Sequence, residues 1–143
     1  MSDGQPADPV IDTSSAVAEV TATFERYEAA LTAGELAVLD ELFWHDDRAV
    51  RVGIDDRQDG FAAIHAFRRG LDGQAPRRRL QDTVIATFGD ATAVVTTAFV
   101  PLDGSPAGRQ SQTWVRFRDG WRIVAAHVSW PASAIVQTPD PER

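Results

Sequence analysis

Four consecutive strand-like segments, separated only by short turns, fill the second half of the chain and limit its possible folds more than any other feature. The segments lie at about residues 78–88, 91–101, 108–118 and 121–130. The junctions between them contain typical turn residues: "GD" at 89–90, "DGSPAG" at 103–108 and "RDG" at 118–120. Because such short connections join antiparallel neighbours, the sequence predicts a four-stranded meander.

Helical spacing dominates the first half of the chain. Ser14 or Ser15 can cap a first helix that runs to about Ala33, and Gly34 follows where a C-terminal glycine belongs. Two further helices are predicted from apolar residues at three- and four-residue spacing: Leu36, Leu39, Leu42 and Phe43 in a short one, and Phe61, Ile64 and Phe67, before Gly70, in the other.

The segment between the second and third helices adds strand structure to this pattern. "RAVRVGI" at 48–54 alternates like a strand, and "DDRQDG" at 55–60 predicts a turn with a brief returning strand. Helices followed by a long meander predict an α+β domain, with the helices packed on one face of a curved, mostly antiparallel sheet. We expect this single domain to cover residues 14–131. Flexible tails are expected at 1–13 and 132–143, which are rich in Pro, Asp and Ser.

Composition excludes several kinds of chemistry. Cysteine is absent, and all 14 basic residues are arginine, so neither thiolate nor lysine Schiff-base catalysis is possible. The net charge of −7 argues against nucleic-acid binding. The "RRR" run at 77–79 is therefore interpreted as a solvated loop or strand edge. No apolar run approaches the roughly 18 residues of a membrane helix, and the N-terminus lacks a signal pattern, which predicts a cytoplasmic protein without a membrane partner.

Three stretches carry a resemblance to a known family: "LDELFWHDDRAVRVG" (39–53), "GFAAIHAFRRG" (60–70) and "GRQSQTWVRFRDGWRIVAAHVS" (108–129). Together with "FERYEAAL" in the first helix, they resemble AtzH-like proteins and the HpxZ-like proteins of oxalurate catabolism. These belong to the nuclear transport factor 2-like (SnoaL-like) superfamily of cone-shaped folds. The resemblance covers most of residues 17–129 and implies a cone fold.

The same resemblance implies a function. Family members accompany amidohydrolases that degrade ureas and cyanuric-acid products, so a pathway amidohydrolase is an expected partner. The AtzH-like branch is similar to a decarboxylase that converts 1,3-dicarboxyurea to allophanate and carbon dioxide. Such chemistry needs arginines for the carboxylates and a proton donor for the nitrogen that loses carbon dioxide. It requires no metal or organic cofactor, and the three histidines show no compact metal-binding spacing.

Tyr27 and Arg51 are the predicted catalytic residues. Tyr27, the only tyrosine, lies on the apolar stripe of the first helix, where spacing alone favours a core aromatic bonded to a backbone carbonyl. The resemblance instead implies a proton donor. Arg51 lies on the strand face opposite Val50 and Val52, which could simply face solvent. The resemblance implies that this arginine clamps the substrate's carboxylate.

Arg68, Gln112 and His127 are the predicted substrate-binding residues. Arg68 extends the helical stripe of Phe61 and Ile64, although a surface arginine at a helix end is an equal alternative. Gln112 shares a strand face with other polar residues: Gln110, Trp114 and Arg116. His127 is predicted to share one face of the last strand with the remaining odd-numbered residues: Trp121, Ile123, Ala125 and Ser129. Both could reach the pocket and hold the urea carbonyl or orient Tyr27.

Two other function classes remain open. An isomerase or cyclase of the same fold would need a buried carboxylate base, for which Glu28 and Asp40 are available. A non-catalytic small-carboxylate-binding or assembly module is the other alternative. An arginine-rich pocket without an acidic residue would favour the carboxylated urea, a small anionic substrate. Apolar residues on both faces of the later strands predict a homodimer or higher homo-oligomer, paired through the outer sheet face.

Overall fold

The computed structural model describes residues 4–71 and 75–131. In chain order, the helices and strands of these ranges are α1 Ser14–Ala33, α2 Leu36–Leu42, β1 Val50–Val52, β2 Arg57–Asp59, α3 Phe61–Arg69, β3 Arg78–Phe88, β4 Thr92–Pro101, β5 Gly108–Phe117 and β6 Gly120–Ser129. Every helix and strand predicted above has a counterpart at nearly the same position.

The six strands form one curved, open sheet in the order β2-β1-β6-β5-β4-β3. Strands β3 to β6 pair antiparallel with their sequence neighbours, as the short turns predict. Strand β1 pairs antiparallel with β2 but parallel with β6, so the sheet is mixed. The helices pack against this sheet, and the predicted α+β cone architecture is confirmed.

Helix α1 supplies one side of the core. Its buried residues recur at three- and four-residue spacing and pack against the inner face of the sheet: Ala16, Val20, Phe24, Tyr27 and Ala30. Each fully buried aliphatic or phenylalanine side chain stabilises the fold by roughly 1.5–3 kcal/mol. The helix ends at Gly34, whose φ of 73° is left-handed and whose N–H donates to the carbonyl of Ala30.

A bulge in β6 changes which of its residues face inward. Trp114 of β5 lies opposite Ile123, but Gln112 lies opposite Ala126, so β6 contains one extra residue between these pairs. The inner face of β6 therefore passes from Ile123 to Ala126. The prediction that all odd-numbered residues of β6 share one face is wrong beyond the bulge, and His127 lies on the outer face.

Part of the predicted N-terminal tail lies against the edge of the sheet. Ile11 forms a bridge with Phe88, and the Asp12 N–H donates to the Thr87 carbonyl over 3.1 Å. The Asp12 carboxylate in turn accepts from the Thr87 N–H over 2.8 Å. Residues 1–3 and 132–143 of the two predicted tails lie outside the described residues. None of the described helices is both long and apolar enough to cross a membrane.

Candidate functional site

A cavity of about 190 Å³ opens between α1, α3 and the concave face of the sheet. This volume is below the range of roughly 300–1,000 Å³ for pockets that hold drug-sized molecules, so the cavity suits a small ligand. The polar residues that line it include six from α1, α3, β1, β3 and β5: Tyr27, Arg51, Arg68, Arg78, Gln110 and Gln112; Ser111 and His127 also border it. No aspartate or glutamate lines the cavity among the described residues.

Strand register brings Arg51 and Gln112 onto the concave face. Arg51 lies beside Gln58 of β2 on one side and beside Ala126 of β6 on the other. Ala126 lies opposite Gln112 of β5, which in turn lies opposite the buried Val95 of β4. Neighbouring residues in such a cross-strand row point to the same face, and the small Ala126 leaves space between the two polar side chains.

The charge of Arg51 is balanced by a carboxylate behind it. Its Nη1 donates to Asp56 Oδ1 over 2.7 Å and to Gln58 Oε1 over 2.9 Å, and its guanidinium lies 4.8 Å from the centre of the Phe67 ring. Gly53 makes room for this arrangement, because a Cβ there would lie 2.5 Å from the Asp56 carboxylate. These contacts fix the guanidinium, and within the described ranges its Nε and Nη2 make no side-chain hydrogen bond and are left for a ligand.

Arg68 is a buried cation with no compensating carboxylate among residues 4–71 and 75–131. It is only 5% exposed, its Nη2 donates to the Tyr27 hydroxyl over 2.5 Å, and its buried Nε has no partner in the described part of the chain. The guanidinium otherwise faces the rings of Tyr27 and Phe43, at 5.7 and 5.5 Å from their centres. Burial of an unpaired charge is costly, so this position is suited to an anionic ligand.

Hydrogen-bond directions make Tyr27 and Gln112 donors towards the cavity. A guanidinium can only donate, so the Tyr27 oxygen accepts from Arg68 and its own O–H is left to donate. The indole N–H of Trp114 likewise can only donate, and it bonds Gln112 Oε1 over 3.0 Å. The amide oxygen of Gln112 is therefore occupied, and its NH2 group is the part available to a ligand.

Arg78 was missed as a site residue. Its side chain is 9% exposed, and it binds the Glu28 carboxylate at 2.6 Å and Gln110 Oε1 at 2.9 Å. The "RRR" run does lie at a strand edge, because β3 is an edge strand, but the interpretation of the run as solvated is wrong for Arg78. The alternation of Arg78 with Leu80 along β3 was the available signal, because every second residue of a strand shares a face.

Gly108 shapes the support beneath Arg78. The guanidinium of Arg78 lies 4.5 Å from the centre of the Phe99 ring. Phe99 lies opposite Gly108, and a Cβ at that glycine would come within 2.3 Å of the ring. Only glycine therefore lets the ring lie where it supports the arginine.

His127 and Asp40 do not present their side chains to the cavity. His127 is among the residues that border the cavity, but it is exposed and lies opposite Ser111, on the face of the sheet away from Gln112. The predicted inward orientation of His127 is wrong because of the β6 bulge. Asp40 belongs to α2 and faces α3, from which His65 Nδ1 and Arg69 Nη1 each lie 2.9 Å from its Oδ2.

Two depressions on the outside of the protein, of about 600 and 510 Å³, lie along α2, and another of about 280 Å³ lies near the end of β6. All three are more open than the inner cavity, and the two along α2 are lined by charges of both signs, so the inner cavity is the better candidate site. No cluster of three or more potential metal ligands occurs in the described ranges.

Surface ion pairs lower the pKa values of several carboxyl groups outside the cavity. The side-chain hydrogen bond from Arg48, with a second from its backbone N–H, lowers the pKa of Asp46 to about 2. The side-chain hydrogen bond from Arg57 lowers the pKa of Asp59. The side-chain hydrogen bond from Arg26 lowers the pKa of Glu41. These exposed pairs provide controls for the arginine–carboxylate pairs of the cavity.

Helices packed on a curved, open, six-stranded mixed sheet, with a cavity between them, define the cone fold of nuclear transport factor 2-like proteins. The AtzH-like family model matches residues 9–134, and the chain belongs to the AtzH-like family. No curated protein matches the chain.

Three solved structures resemble the chain over most of its length. A protein with unknown function of the DUF3225 family from Pectobacterium atrosepticum is 47% identical, with a TM-score of 0.82 over 85% of this chain and 95% of that one. A cystatin-like fold protein from Burkholderia xenovorans is 41% identical, with a TM-score of 0.82 over 87% of this chain and 98% of that one. An NTF2-like protein of unknown function from Pseudomonas putida is 15% identical, with a TM-score of 0.71 over 90% and 97% of the chains, and shares the fold.

Proposed function

We propose that the protein is a cofactor-independent decarboxylase of small carboxylated ureas, converting 1,3-dicarboxyurea to allophanate and carbon dioxide. The substrate comes from the family resemblance, and the chemistry of the cavity supports it. One observation carries the proposal: the polar groups left free in the cavity are donors around a cation without a carboxylate partner in the described ranges.

A cavity of donors suits a ligand made of acceptors. Carboxylates accept hydrogen bonds only, and the urea carbonyl adds one further acceptor. These acceptors can each bind one of the cavity's donors: the Tyr27 O–H, the Gln112 NH2, or Nε and Nη2 of Arg51. Hydrogen bonds from a guanidinium to a carboxylate are charge-assisted, which makes them stronger than bonds between neutral groups.

Tyr27 acts as the proton donor in the proposed reaction. The bond between the urea nitrogen and the carboxylate carbon breaks, carbon dioxide leaves, and the electron pair stays on the nitrogen and spreads to the carbonyl. The Tyr27 O–H gives its proton to that nitrogen. Arg68, which already donates to the Tyr27 oxygen, stabilises the phenolate until water returns the proton.

The test is the release of carbon dioxide from freshly made 1,3-dicarboxyurea. We expect enzyme-dependent release above the spontaneous decay, with one allophanate formed for each carbon dioxide and no added metal or organic cofactor. The control is Arg69→Met, because Arg69 neighbours Arg68 but pairs with Asp40 outside the cavity. Folded protein that gives no release above the spontaneous rate would overturn the proposal.

An isomerase or cyclase is less well supported. Such an enzyme needs a carboxylate base in its cavity. Glu28 is committed to Arg78 and Gln110, and Asp40 is committed to His65 and Arg69. A non-catalytic carboxylate-binding module would bind an unreactive dicarboxylate tightly without any turnover, so the same assay distinguishes it.

We also propose a cytoplasmic homodimer, acting beside an amidohydrolase that consumes its product. The outer face of the sheet supports the dimer, because two cross-strand rows on it contain no aspartate, glutamate, lysine or arginine between β1 and β3. These rows are Val52, His127, Ser111, Thr96 and Val84, and Val50, Ala125, Thr113, Val94 and Ala86. An uncharged sheet face of this width suits a second copy of the chain.

A further inference from the structure

The three arginines of the cavity differ in how their charge is balanced. Asp56 lies 2.7 Å from Arg51, and Glu28 lies 2.6 Å from Arg78, so each of these two guanidinium groups is part of a neutral pair. Arg68 has only the neutral Tyr27 hydroxyl as a hydrogen-bond partner within the described ranges. Among the described residues, the cavity therefore contains one net positive charge, located at Arg68.

The arginines of the two neutral pairs face the same cavity but belong to strands that lie far apart in the strand order. Arg51 belongs to β1 and Arg78 to β3, and the strands β6, β5 and β4 separate them in the strand order. Gln112, on the central strand β5, faces the same cavity between them, as does Tyr27 above the sheet. This order matches a ligand with a carboxylate at each end, whose middle would lie beside Tyr27 and its hydrogen-bond partner Arg68.

Decarboxylation moves negative charge in the direction that this arrangement favours. The charge leaves a terminal carboxylate, which becomes neutral carbon dioxide, and arrives on the central nitrogen and carbonyl. A strong cation at the carboxylate would stabilise the ground state more than the transition state and would slow the reaction. A cation where the charge arrives would stabilise the transition state.

We infer that both carboxylates of the substrate bind at the neutral pairs, Arg51–Asp56 and Arg78–Glu28, and that the urea core lies beside Arg68 and Tyr27. This inference rests on the proposed function. Asp56 and Glu28 are then positioning residues, which act through their arginines and do not touch the substrate. Because each acid neutralises its arginine, it weakens the binding of the substrate carboxylate that leaves as neutral carbon dioxide.

The inference predicts opposite changes in binding and turnover when either acid is replaced by its amide. Glu28→Gln and Asp56→Asn keep the shape of the side chain but leave the arginine with an unbalanced charge. Glutarate is the probe for binding, because three atoms separate its carboxyl carbons, as in dicarboxyurea, and it cannot lose carbon dioxide by this route. We expect each variant to bind glutarate about tenfold more tightly than the wild type.

Turnover should change in the other direction. For dicarboxyurea, KM should fall and kcat should fall about tenfold in both variants, because the ground state gains more stabilisation than the transition state. The effect should be larger for Glu28, whose side chain is 13% exposed, than for Asp56, whose side chain is 34% exposed, because water screens the latter more.

Matched controls remove the same charge elsewhere. Glu41→Gln and Asp59→Asn each take one carboxylate from an exposed arginine pair outside the cavity, and they should leave glutarate affinity and kcat within twofold of the wild type. Asp56→Asn is the variant of choice if the more buried Glu28→Gln fails to fold, as judged by thermal melting.

The glutarate measurement separates this inference from the proposed function. If the wild type releases no carbon dioxide, the proposed function fails, and glutarate binding alone decides the role of the two acids. Unchanged or weaker glutarate binding in the folded amide variants would overturn the inference. A kcat that rises as glutarate binding tightens would overturn it as well.

Discussion

Replacing Arg68 with methionine should stabilise the protein and strongly weaken its binding of dicarboxylates. Methionine keeps most of the length of the side chain and suits the aromatic surroundings formed by Tyr27 and Phe43. The arginine is 5% exposed without a carboxylate partner among the described residues, so the folded wild type bears the cost of burying its charge. Exchange of buried charged groups for apolar ones commonly raises stability by about 1–4 kcal/mol.

The loss of binding can be estimated from the same geometry. With both carboxylates at the neutral pairs, each lies farther from Arg68 than a direct partner would, and two unit charges about 7 Å apart attract by about 2.4 kcal/mol at an effective dielectric constant near 20. Desolvation of the ligand offsets part of this energy, summed over the two carboxylates, so we expect glutarate binding to weaken by about 2–3 kcal/mol, or roughly 30- to 150-fold. Arg68→Met should accordingly melt at a higher temperature than the wild type without ligand, and added glutarate should raise its melting temperature much less.

Calorimetric melting with and without glutarate measures both effects. Arg69→Met is the matched control on the same helical turn, because Arg69 pairs with Asp40 and its side chain is 42% exposed. That variant should lose about 0.2–1 kcal/mol of stability and keep its glutarate response. A destabilised Arg68→Met protein with wild-type glutarate binding would refute the reasoning, because Arg68 would then be a structural residue.

Three further predictions follow from the geometry of the cavity and of the sheet. Arg51→Lys keeps the charge but loses the planar fork, so glutarate should bind about tenfold more weakly in titration calorimetry; unchanged affinity would remove Arg51 from the site. Gly108→Ala places a Cβ 2.3 Å from the Phe99 ring and should cost about 1–3 kcal/mol in denaturant unfolding, whereas wild-type stability would contradict the packing argument. Thr96→Glu puts a charge in the uncharged outer face and should shift a dimer to monomer in light scattering, and a wild type that is already monomeric at micromolar concentration would contradict the proposed interface.

Local periodicity was sufficient to predict the helices, the strands and part of the site. Alternation along β1 separates Arg51 from Val50 and Val52, and alternation along β5 separates Gln112 from its neighbours. The glycine after α1 marks its end because its backbone is left-handed. These features depend on residues that are close in sequence, so the sequence alone reveals them.

The features that the sequence did not reveal depend on distant contacts. The β6 bulge, which turns His127 outward, is visible only in the pairing of β5 with β6. Arg78 stands in a run of three arginines, and its partner Glu28 lies 50 residues earlier in the chain. Tyr27 and Arg68 are 41 residues apart, and no local pattern shows that this arginine lacks a carboxylate partner in the described ranges. The charge balance of the cavity is therefore a property of the fold.

The most direct test of the proposed chemistry compares carbon dioxide release from fresh 1,3-dicarboxyurea by the wild type and by Tyr27→Phe. The variant keeps the ring in the core but removes the proton donor, so turnover should fall by roughly a hundredfold or more. Arg68 loses its hydrogen-bond partner, which should cost about 1–3 kcal/mol of stability, so both proteins are assayed well below their melting temperatures. Glutarate binding, which depends on the arginines, should change much less than turnover. Wild-type turnover by folded Tyr27→Phe, after subtraction of spontaneous decay, would contradict the account.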